Sequence, residues 1–362
     1  MSIGFREESL NPRYFCHGAL NFYNKINLNK TFIIAEIGQA HDGSLGILHS
    51  YIDALSGTGI DAIKFQTHIA EAESSAEEPF RVNFSYEDAT RYDYWQRMSF
   101  SRDQWQGIKA HCEAVGLEFM SSPFSQAAVD LLESIGMFRY KIGSGEVNNF
   151  LMLEKIAKTG KPILLSSGMS SFEELDKAVA FLRPYGNDLT ILQCTTSYPT
   201  PPEKVGLNVL SLLKERYPTA KIGLSEHTSK IYTGIAAVAL GAEVLEFHAV
   251  FDRRMFGPDA ASSLTIDEIK KLVEGVRYIE QIHRHPIDKN DNSAFADLKK
   301  IFEKTLAVNK DLSQGHLLTF EDLEAKKPAN MGIAASGFKA VIGRRLNKNL
   351  KKYSFLREED LI

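Results

Sequence analysis

Short apolar runs rich in β-branched residues alternate with longer stretches of helical periodicity from residue 31 onward. This alternation is typical of repeated βα units, whose strands pair in a parallel sheet. Eight strands are predicted, at residues 31–37, 61–67, 117–120, 140–143, 162–166, 189–193, 221–224 and 243–248. Helical patterns occupy the intervening and following stretches, among them residues 45–56, 172–181, 231–240 and 267–282.

Eight consecutive units predict a closed (β/α)8 barrel of the TIM type, in which the reacting groups lie at the carboxyl ends of the strands. An open doubly wound sheet is the alternative architecture for such a pattern. That fold would be favoured by a Gly-x-Gly-x-x-Gly turn after the first strand, and the sequence has none there. The barrel is therefore the expected fold, with its chemistry where the strands end.

Polar side chains end several of these apolar strands and share one face. Side chains two apart on a strand point the same way, so Lys64 lies beside Gln66 and Glu246 beside His248. Residues 141–146 and 225–227 end two further strands in a similar manner. Polar residues at the end of a single strand are explained if that strand ends in solvent, where they are hydrated. Four together indicate an active site.

Composition and charge narrow the possible partners. The 362 residues are 44% hydrophobic and 24% charged, with a formal net charge of −4. This charge excludes a general affinity for nucleic acid or an anionic membrane, so local Lys and Arg side chains must meet an anionic substrate. Cys16, Cys112 and Cys194 lack CxxC spacing, and no apolar stretch is of transmembrane length. The expected setting is a reducing cytoplasm with buried, inert thiols.

The chain is long enough for a large domain and a smaller one. The predicted organisation is an N-terminal extension at residues 1–30, the barrel at 31–282, a polar linker at 283–300 and a tail domain at 301–362. Within the extension, residues 23–29 are a candidate strand that closes the floor of the barrel.

The tail domain contains an internal echo. Residues 309–312 and 321–323 recur at 347–350 and 359–361, with an offset of 38 residues throughout. The echo predicts two similar halves packed about a pseudo-twofold axis. A unit of this size has too little core to be very stable alone, so it is expected to dock on another surface.

A long excursion at residues 68–100 separates the second strand from its helix. It carries seven aromatic residues, which are Phe80, Phe84, Tyr86, Tyr92, Tyr94, Trp95 and Phe100. Such long insertions are usually functional or disordered, and this aromatic content argues against disorder. We interpret the excursion as a lid or a subunit contact, with simple local packing as the alternative.

Two histidines end the last two predicted strands, which are neighbours in a closed barrel. The imidazoles of His227 and His248, with water, suit a divalent cation that polarises a carbonyl group. The alternative is a pair of histidines that only form hydrogen bonds in the core.

Two lysines, Lys64 and Lys141, end strands in apolar surroundings, where an ammonium group needs an anion beside it. A phosphate or carboxylate group of a substrate would serve. Ser144, Ser166 and Ser225 add hydroxyls, next to small residues, that suit phosphate oxygens. Two carboxyl groups, Glu36 and Glu146, lie near the same mouth and suit sugar hydroxyls or proton transfer.

Eight ordered motifs together resemble the sialic acid synthase family. They are residues 35–43 (AEIGQAHDG), 64–67 (KFQT), 121–124 (SSPF), 141–146 (KIGSGE), 166–169 (SSGM), 194–201 (CTTSYPTP), 223–228 (GLSEHT) and 257–259 (GPD). The resemblance covers nearly the whole chain beyond residue 30. The tail, with residues 326–328 (KKP), resembles that family's antifreeze-like domain, which has a β-clip fold.

The resemblance implies an enzyme that condenses phosphoenolpyruvate with an N-acetylated hexosamine, giving a nine-carbon 2-keto sugar acid and phosphate. The positions that would bind phosphoenolpyruvate are Lys64, Ser122, Lys141, Ser144, Ser166 and Ser225. Those that would hold the sugar are Gln66, Glu146, Tyr198, Asp259 and, from the tail, Lys327. His227 and His248 would bind Mn2+ or Mg2+, and Glu36 would sit beside the reacting carbons. The resemblance also implies a domain-swapped homodimer, in which each tail serves the partner's barrel.

Three positions depart from the pattern common in the family. Thr196 and Ala40 each stand where asparagine is common, and Lys327 stands where arginine is common. Arginine and lysine differ in the geometry of their hydrogen-bond donors. The contact of Lys327 with the N-acetyl side of the sugar can therefore differ from the contact that arginine makes. N-acetylmannosamine is one candidate substrate. A diacetamido-trideoxy hexose, leading to legionaminic or pseudaminic acid, is the alternative.

Three other functional classes compete with this interpretation. A Schiff-base aldolase would use Lys64 or Lys141. A non-catalytic sugar-binding barrel would bind a ligand without chemistry. A sugar-phosphate synthase of the shikimate or lipopolysaccharide type would need a second basic cluster at the mouth, for which Arg253 and Arg254 are the only paired candidates.

Overall fold

A computed structural model describes residues 30–82 and 84–362. Its strands are β1 Phe32–Glu36, β2 Ala62–Thr67, β3 Glu118–Pro123, β4 Tyr140–Ile142, β5 Ile163–Ser166, β6 Leu189–Cys194, β7 Lys221–Glu226, β8 Val244–Val250, β9 Leu264–Thr265, β10 Thr305–Val308 and β11 Leu323–Lys326. Its α-helices are α1 Leu45–Ser56, α2 Ala70–Glu73, α3 Arg91–Met98, α4 Arg102–Ala114, α5 Gln126–Ser134, α6 Phe150–Ala157, α7 Phe172–Leu182, α8 Val209–Arg216, α9 Ile231–Ala239, α10 Ile266–His283, α11 Ala296–Phe302 and α12 Phe338–Val341. The candidate strand at 23–29 and Cys16 lie outside the described residues.

Strands β1 to β8 are parallel neighbours in chain order, and β1 also pairs with β8, so the sheet closes. The predicted (β/α)8 barrel is therefore confirmed. Among the described residues, those from 30 to 285 form one compact unit and residues 286 to 362 form a second. Within the described part of the chain, no helix combines the length and apolar character that crossing a membrane requires.

Four strands run past their predicted ends. β3 continues to Pro123, β6 to Cys194, β7 to Glu226 and β8 to Val250. Their final residues include serines and a glutamate that break the apolar pattern yet still pair with a neighbouring strand. Pairing with a neighbouring strand of the closed sheet satisfies backbone groups there, so the ladder continues after the hydrophobic signal ends.

The register of the barrel aligns polar residues of adjacent strands. Glu36 lies opposite Lys64 on one side and opposite His248 on the other. Gln66 lies opposite Ser122. Because parallel strands end on one side of the barrel, these side chains converge on one mouth.

The second unit shows the reciprocal contacts that the internal echo predicts. Leu312 and Leu350 exchange both backbone hydrogen bonds, at 2.9 and 2.8 Å. The backbone N–H of Asn309 donates to Asp322 O at 2.9 Å, and that of Asn347 donates to Asp360 O at 3.0 Å. The two halves thus repeat one local structure. Helix α11 begins within the predicted polar linker at 283–300 and ends in the predicted tail domain, so part of the linker has regular structure.

We expect Gly223→Ala to destabilise the barrel by about 1–3 kcal/mol, because a new methyl group must fit a filled interior. A Cβ at Gly223 would lie 2.7 Å from Leu192 Cδ2 and 2.9 Å from the backbone carbonyl carbon of Val244. Urea unfolding followed by tryptophan fluorescence measures this loss. The matched control is Gly107→Ala on exposed α4, where a Cβ meets nothing within 4 Å and about 0.5–1 kcal/mol should be gained. Equal midpoints for the two variants would contradict the expectation.

Candidate active site

A layer of polar side chains lies directly above an apolar layer inside the barrel. The apolar layer consists of Ile34, Ala62, Met120, Leu164, Leu192 and Val244. Two residues further along the same strands, and so on the same face, stand Glu36, Lys64, Ser122, Ser166, Cys194 and Glu246. All six are buried. Strand alternation in a closed barrel therefore builds the floor of the site.

Glu36, Lys64 and Glu246 of this layer form a buried network of ion pairs with Lys141 of β4. Lys64 Nζ lies 2.6 Å from Glu36 Oε1 and 3.7 Å from Glu246 Oε2. Lys141 Nζ lies 3.1 Å from Glu246 Oε1, which also accepts a hydrogen bond of 2.9 Å from Ser225 Oγ. Glu246 thus joins the two lysines.

Ion pairing keeps these buried groups charged. Burial alone would raise the pKa values of Glu36 and Glu246, but the neighbouring Lys64 and Lys141 lower both below the ordinary value of a glutamate. Burial alone would lower the pKa of Lys64, but Glu246 and Glu36 raise it above its ordinary value. Because the two ammonium groups and the two carboxylates cancel, the network carries no net charge.

Several buried polar atoms that face the cavity have no hydrogen-bond partner among the described residues. They are Ser166 Oγ, Glu246 Oε2 and Gln39 Oε1. A buried polar atom without a partner is costly, and few remain in native proteins unless a ligand, water or function accounts for them. Their position in one cavity indicates a polar ligand there.

The two imidazoles at the ends of β7 and β8 lie side by side. The ring centroids of His227 and His248 are 5.3 Å apart, and both residues are buried. Burial and the neighbouring His248 lower the pKa of His227 to about 4, so His227 is neutral near pH 7. Its Nδ1 lies 3.2 Å from Thr195 O, and His248 Nε2 lies 3.6 Å from Glu36 Oε2.

These donors suit a metal ion that keeps open positions. Neutral imidazole is a common ligand of divalent transition metals. Within residues 30–82 and 84–362, no group of three or more His, Cys, Asp or Glu side chains is arranged as a metal site. Two imidazoles therefore fit a cation whose remaining ligands come from water or substrate.

A tight turn at Gly168 shapes the next part of the cavity. Its backbone N–H donates to Ser144 Oγ at 3.1 Å. A Cβ at this position would lie 2.6 Å from both Ser144 Oγ and Thr196 Oγ1 and 2.9 Å from Cys194 Sγ. Only glycine leaves this space open, which produces a small polar cradle between β4 and β6 of the kind that suits phosphate oxygens.

The predicted sugar-binding residues of the barrel lie in the same cavity. Gln66 Nε2 donates to Glu36 Oε1 at 2.8 Å, and Gln39 Nε2 donates to Gln66 Oε1 at 2.8 Å. The Tyr198 ring packs on His227 with a centroid distance of 4.4 Å. Burial raises the pKa of Glu146 above its ordinary value.

The aromatic excursion forms one wall of the cavity. Its helices pack through a buried cluster of Ala70, Tyr94, Trp95 and Met98. His68 is stacked between Trp95 and Phe124, with centroid distances of 3.7 and 4.4 Å. The excursion is therefore packed on itself, and it contributes Trp95, Phe80 and Arg81 to the cavity lining.

All thirteen predicted site residues of the barrel line this one cavity, whose volume is about 380 Å³. The fourteenth, Lys327, belongs to the second unit, where its Nζ lies 4.7 Å from the ring centroid of Phe302. The two described cysteines, Cys112 and Cys194, are free and buried, and burial raises the pKa of both thiols. Cys194 faces the cavity.

Sequence reasoning assigned no role to two groups that shape the site. Glu246 was visible as a strand-end residue two positions from His248, but its pairing with both lysines depends on register across three strands. Arg81 lies in the excursion, where no periodicity marks it. The proposed basic pair, Arg253 and Arg254, forms ion pairs with Glu268 and Asp252 and is not part of the cavity lining.

Comparisons with known proteins identify the family of the chain. The NeuB family matches residues 51–287, and the SAF domain, an antifreeze-like domain, matches residues 303–362. The chain is 34% identical to an N,N'-diacetyllegionaminic acid synthase of Campylobacter jejuni, over 91% of this chain and 100% of that protein. It is 33% identical to the human N-acetylneuraminate-9-phosphate synthase, over 91% of this chain and 92% of that protein.

A solved structure shows the same fold. It is the N-acetylneuraminic acid (sialic acid) synthetase of Leptospira borgpetersenii in complex with citrate, which aligns with a TM-score of 0.67 at 29% identity over 75% of this chain and 92% of that one. The family match covers well over half of the chain and includes seven of the eight barrel strands. The chain is an enzyme that belongs to the NeuB family of sialic-type acid synthases, with a C-terminal SAF domain.

Proposed function

We propose that this enzyme condenses phosphoenolpyruvate with an unphosphorylated N-acetylated hexosamine, giving a nonulosonic acid and inorganic phosphate. The observation that carries the proposal is the buried network of Lys64, Lys141, Glu36 and Glu246 beside the paired imidazoles of His227 and His248. An anion site and a site for an electrophile are thereby adjacent.

The free thiols of the described cysteines are consistent with a cytoplasmic setting.

Phosphoenolpyruvate would occupy the polar layer. Its carboxylate and phosphate would receive hydrogen bonds from Lys64, Lys141 and Ser166, whose Oγ has no partner among the described residues. Ser122, Ser144 and Ser225 would complete the contacts around the Gly168 cradle. Since Glu36 and Glu246 already neutralise the lysines, the substrate adds negative charge to the site, which favours a divalent cation close by.

That cation, Mn2+ or Mg2+, would bind His227 and His248. When bound, it would supply a Lewis acid that polarises the aldehyde oxygen of the open-chain sugar. Glu36 lies between Lys64 and His248, so it stands where the two reactants would meet.

The reaction forms one carbon–carbon bond, and at C2 an oxygen from water replaces the phosphate oxygen. C3 of phosphoenolpyruvate attacks the aldehyde carbon, whose oxygen takes a proton, and water adds to C2 as positive charge develops there. Collapse of the tetrahedral intermediate breaks the bond between C2 and the phosphate oxygen. Glu146 is a suitable donor of the proton to the sugar, because burial raises its pKa. Gln66, Tyr198 and Asp259 would fix the sugar hydroxyls.

A Schiff-base aldolase is disfavoured by the same network. Such an enzyme needs a lysine that loses its proton readily. Glu246 and Glu36 instead raise the pKa of Lys64, and Lys141 is paired with Glu246. Both lysines therefore serve better as cations than as nucleophiles.

We expect His227→Ala and His248→Ala each to weaken Mn2+ binding by about 100-fold or more and to abolish phosphate release. Electron paramagnetic resonance titration with Mn2+ measures binding independently of turnover, and a chelator should inactivate the unsubstituted enzyme reversibly. The control is His283→Ala, an exposed imidazole at the end of α10. Normal Mn2+ affinity in both active-site variants would show that the metal assignment is wrong.

The charges of the outer cavity favour a sugar without a phosphate group. Two arginines line it, and each already has a carboxylate partner: Arg81 lies 2.7 Å from Asp259 and Arg91 lies 3.1 Å from Glu78. Glu73 contributes a further carboxylate group to the cavity lining. Among the described lining residues, no cation lacks a carboxylate partner and could serve a phosphate.

We expect N-acetylmannosamine 6-phosphate to show a kcat/KM at least about tenfold below that of the best unphosphorylated hexosamine, a cost of about 1.4 kcal/mol from like charges. Phosphate release with phosphoenolpyruvate, Mn2+ and a panel of hexosamines measures this. Comparing each sugar with and without its 6-phosphate isolates the effect of the phosphate group from other differences between sugars. A preference for the phosphorylated sugar would contradict the charge argument.

A diacetamido-trideoxy hexose is the second candidate, and the apolar part of the wall favours it. Val82 is 52% exposed and Met169 is 60% exposed, yet both line the cavity with Phe124. A methyl group at C6 and a second acetamido group would bury some of this surface. Such a sugar would give legionaminic or pseudaminic acid, and it belongs in the same panel.

We also propose a domain-swapped homodimer in which Lys327 of each tail contacts the sugar in the partner's barrel. Support comes from α11 and the turn before it, where Phe295, Leu298, Ile301 and Phe302 are all about half exposed. Such an apolar surface in a small unit favours docking on another surface.

Subunit mixing provides a direct check of this assembly. His248→Ala and Lys327→Ala variants should each be impaired alone. After subunit exchange, a swapped dimer joins an intact barrel to an intact tail at one site, so about a quarter of the unsubstituted activity should return. In an unswapped assembly every site of the mixed dimer retains a defect, so unchanged activity after verified exchange would contradict the proposal.

A further inference from the structure

Arg81 connects the aromatic excursion to two other loops at the barrel mouth. Its Nη2 atom donates a hydrogen bond of 2.7 Å to Asp259 Oδ1 and lies 3.5 Å from Pro258 O. Its guanidinium carbon lies 4.3 Å from the ring centroid of Tyr198, which is a cation–π geometry. Asp259 follows β8 and Tyr198 follows β6, so one side chain spans three segments.

Both partners of Arg81 face the cavity where the sugar is proposed to bind. Tyr198 also packs against His227 and His248, with centroid distances of 4.4 and 6.1 Å. The orientation of the Tyr198 ring and of the Asp259 carboxylate therefore decides the shape of the cavity beside the two imidazoles.

The backbone of Asp259 is held without help from Arg81. Its carbonyl oxygen accepts hydrogen bonds from Ser262 Oγ at 2.9 Å and from Ser263 Oγ at 2.8 Å. Within the described residues, Arg81 is the only group to which the Asp259 carboxylate is bonded. Loss of Arg81 would therefore free the carboxylate to rotate while the loop stays in place.

The excursion is likewise attached by other residues. Arg97 binds Asp88 at 2.8 Å and Asp42 at 2.7 Å, which ties α3 to the loop after β1. Trp95 Nε1 donates to Glu78 Oε2 at 3.1 Å. Arg81 is partly exposed, and an ion pair of that kind adds little to stability. The role of Arg81 is therefore to orient its two partners, Asp259 and Tyr198.

We infer that Arg81 is a positioning residue for sugar recognition, which orients the Asp259 carboxylate and holds the Tyr198 ring in the cavity wall. The inference rests on the proposed condensation with a hexosamine. In the proposed function phosphoenolpyruvate would bind deeper, in the polar layer and beside Lys141, and within the described part of the chain Arg81 has no bond to these groups. Arg81 therefore contributes to recognition of the sugar and not to recognition of phosphoenolpyruvate.

Steady-state kinetics with each substrate varied in turn provide the first part of the experiment. Arg81→Ala should raise KM for the hexosamine by about tenfold or more, while KM for phosphoenolpyruvate changes by less than about twofold. Arg81→Lys should restore part of the loss, because it keeps the charge but not the planar fork. Arg254→Ala is the matched control, since Arg254 is exposed on the loop after β8 and pairs only with Asp252.

A double-mutant cycle forms the second part. If Arg81 acts through Asp259, then Arg81→Ala should change the sugar KM by less than about twofold in an Asp259→Asn background. Independent, multiplicative effects would overturn the inference, as would an equal rise in both KM values. An unfolding midpoint equal to that of the unsubstituted enzyme would confirm that Arg81→Ala acts locally.

Failure of the inference can be told apart from failure of the proposed function. If the unsubstituted enzyme releases phosphate with a hexosamine and Arg81→Ala has the same sugar KM, the inference alone is overturned. If the unsubstituted enzyme releases no phosphate with any hexosamine in the panel, the proposed function is overturned and the inference falls with it.

Discussion

Closure of the barrel is the constraint on which the rest of the structure depends. Because β1 pairs with both β2 and β8, the interior faces of all eight strands must fill one narrow space. The apolar layer satisfies that demand with side chains such as Ile34 and Met120. Two positions further on, the same geometry forces carboxylates and ammonium groups together away from bulk water. They are stable there only as pairs, because an isolated buried charge would be too costly.

Much of this arrangement follows from the chain alone, since period-two alternation is a local property. The eight strands, and the polar residues that end them, could be predicted because each lies within a few residues of the apolar run that defines it. The end of β7 was less accessible. Ser225 and Glu226 interrupt the apolar pattern, and only their pairing with β6 and β8 shows that the strand continues.

Features that depend on distant segments could not be predicted in this way. The bond between Lys141 and Glu246 joins positions more than a hundred residues apart, on strands whose separation around the barrel is set by register and shear. Arg81 lies in a segment without regular periodicity, and its partners are fixed by the packing of Trp95 and by Arg97. Of the two barrel residues that depart from the family pattern, Thr196 borders the Gly168 cradle, while Ala40 packs on the core.

The neutral network of two lysines and two glutamates also limits how such a site can evolve. Replacing any one member leaves a buried charge without a counterpart, which is a larger loss than the missing contact itself. A single substitution at any of these four residues should therefore strongly impair the enzyme. Two substitutions that together keep the buried charges balanced offer a less costly change. Variation in this enzyme lineage should accordingly concentrate at the rim, where Tyr198 and Asp259 meet the excursion, and leave the buried quartet fixed while substrate preference diverges.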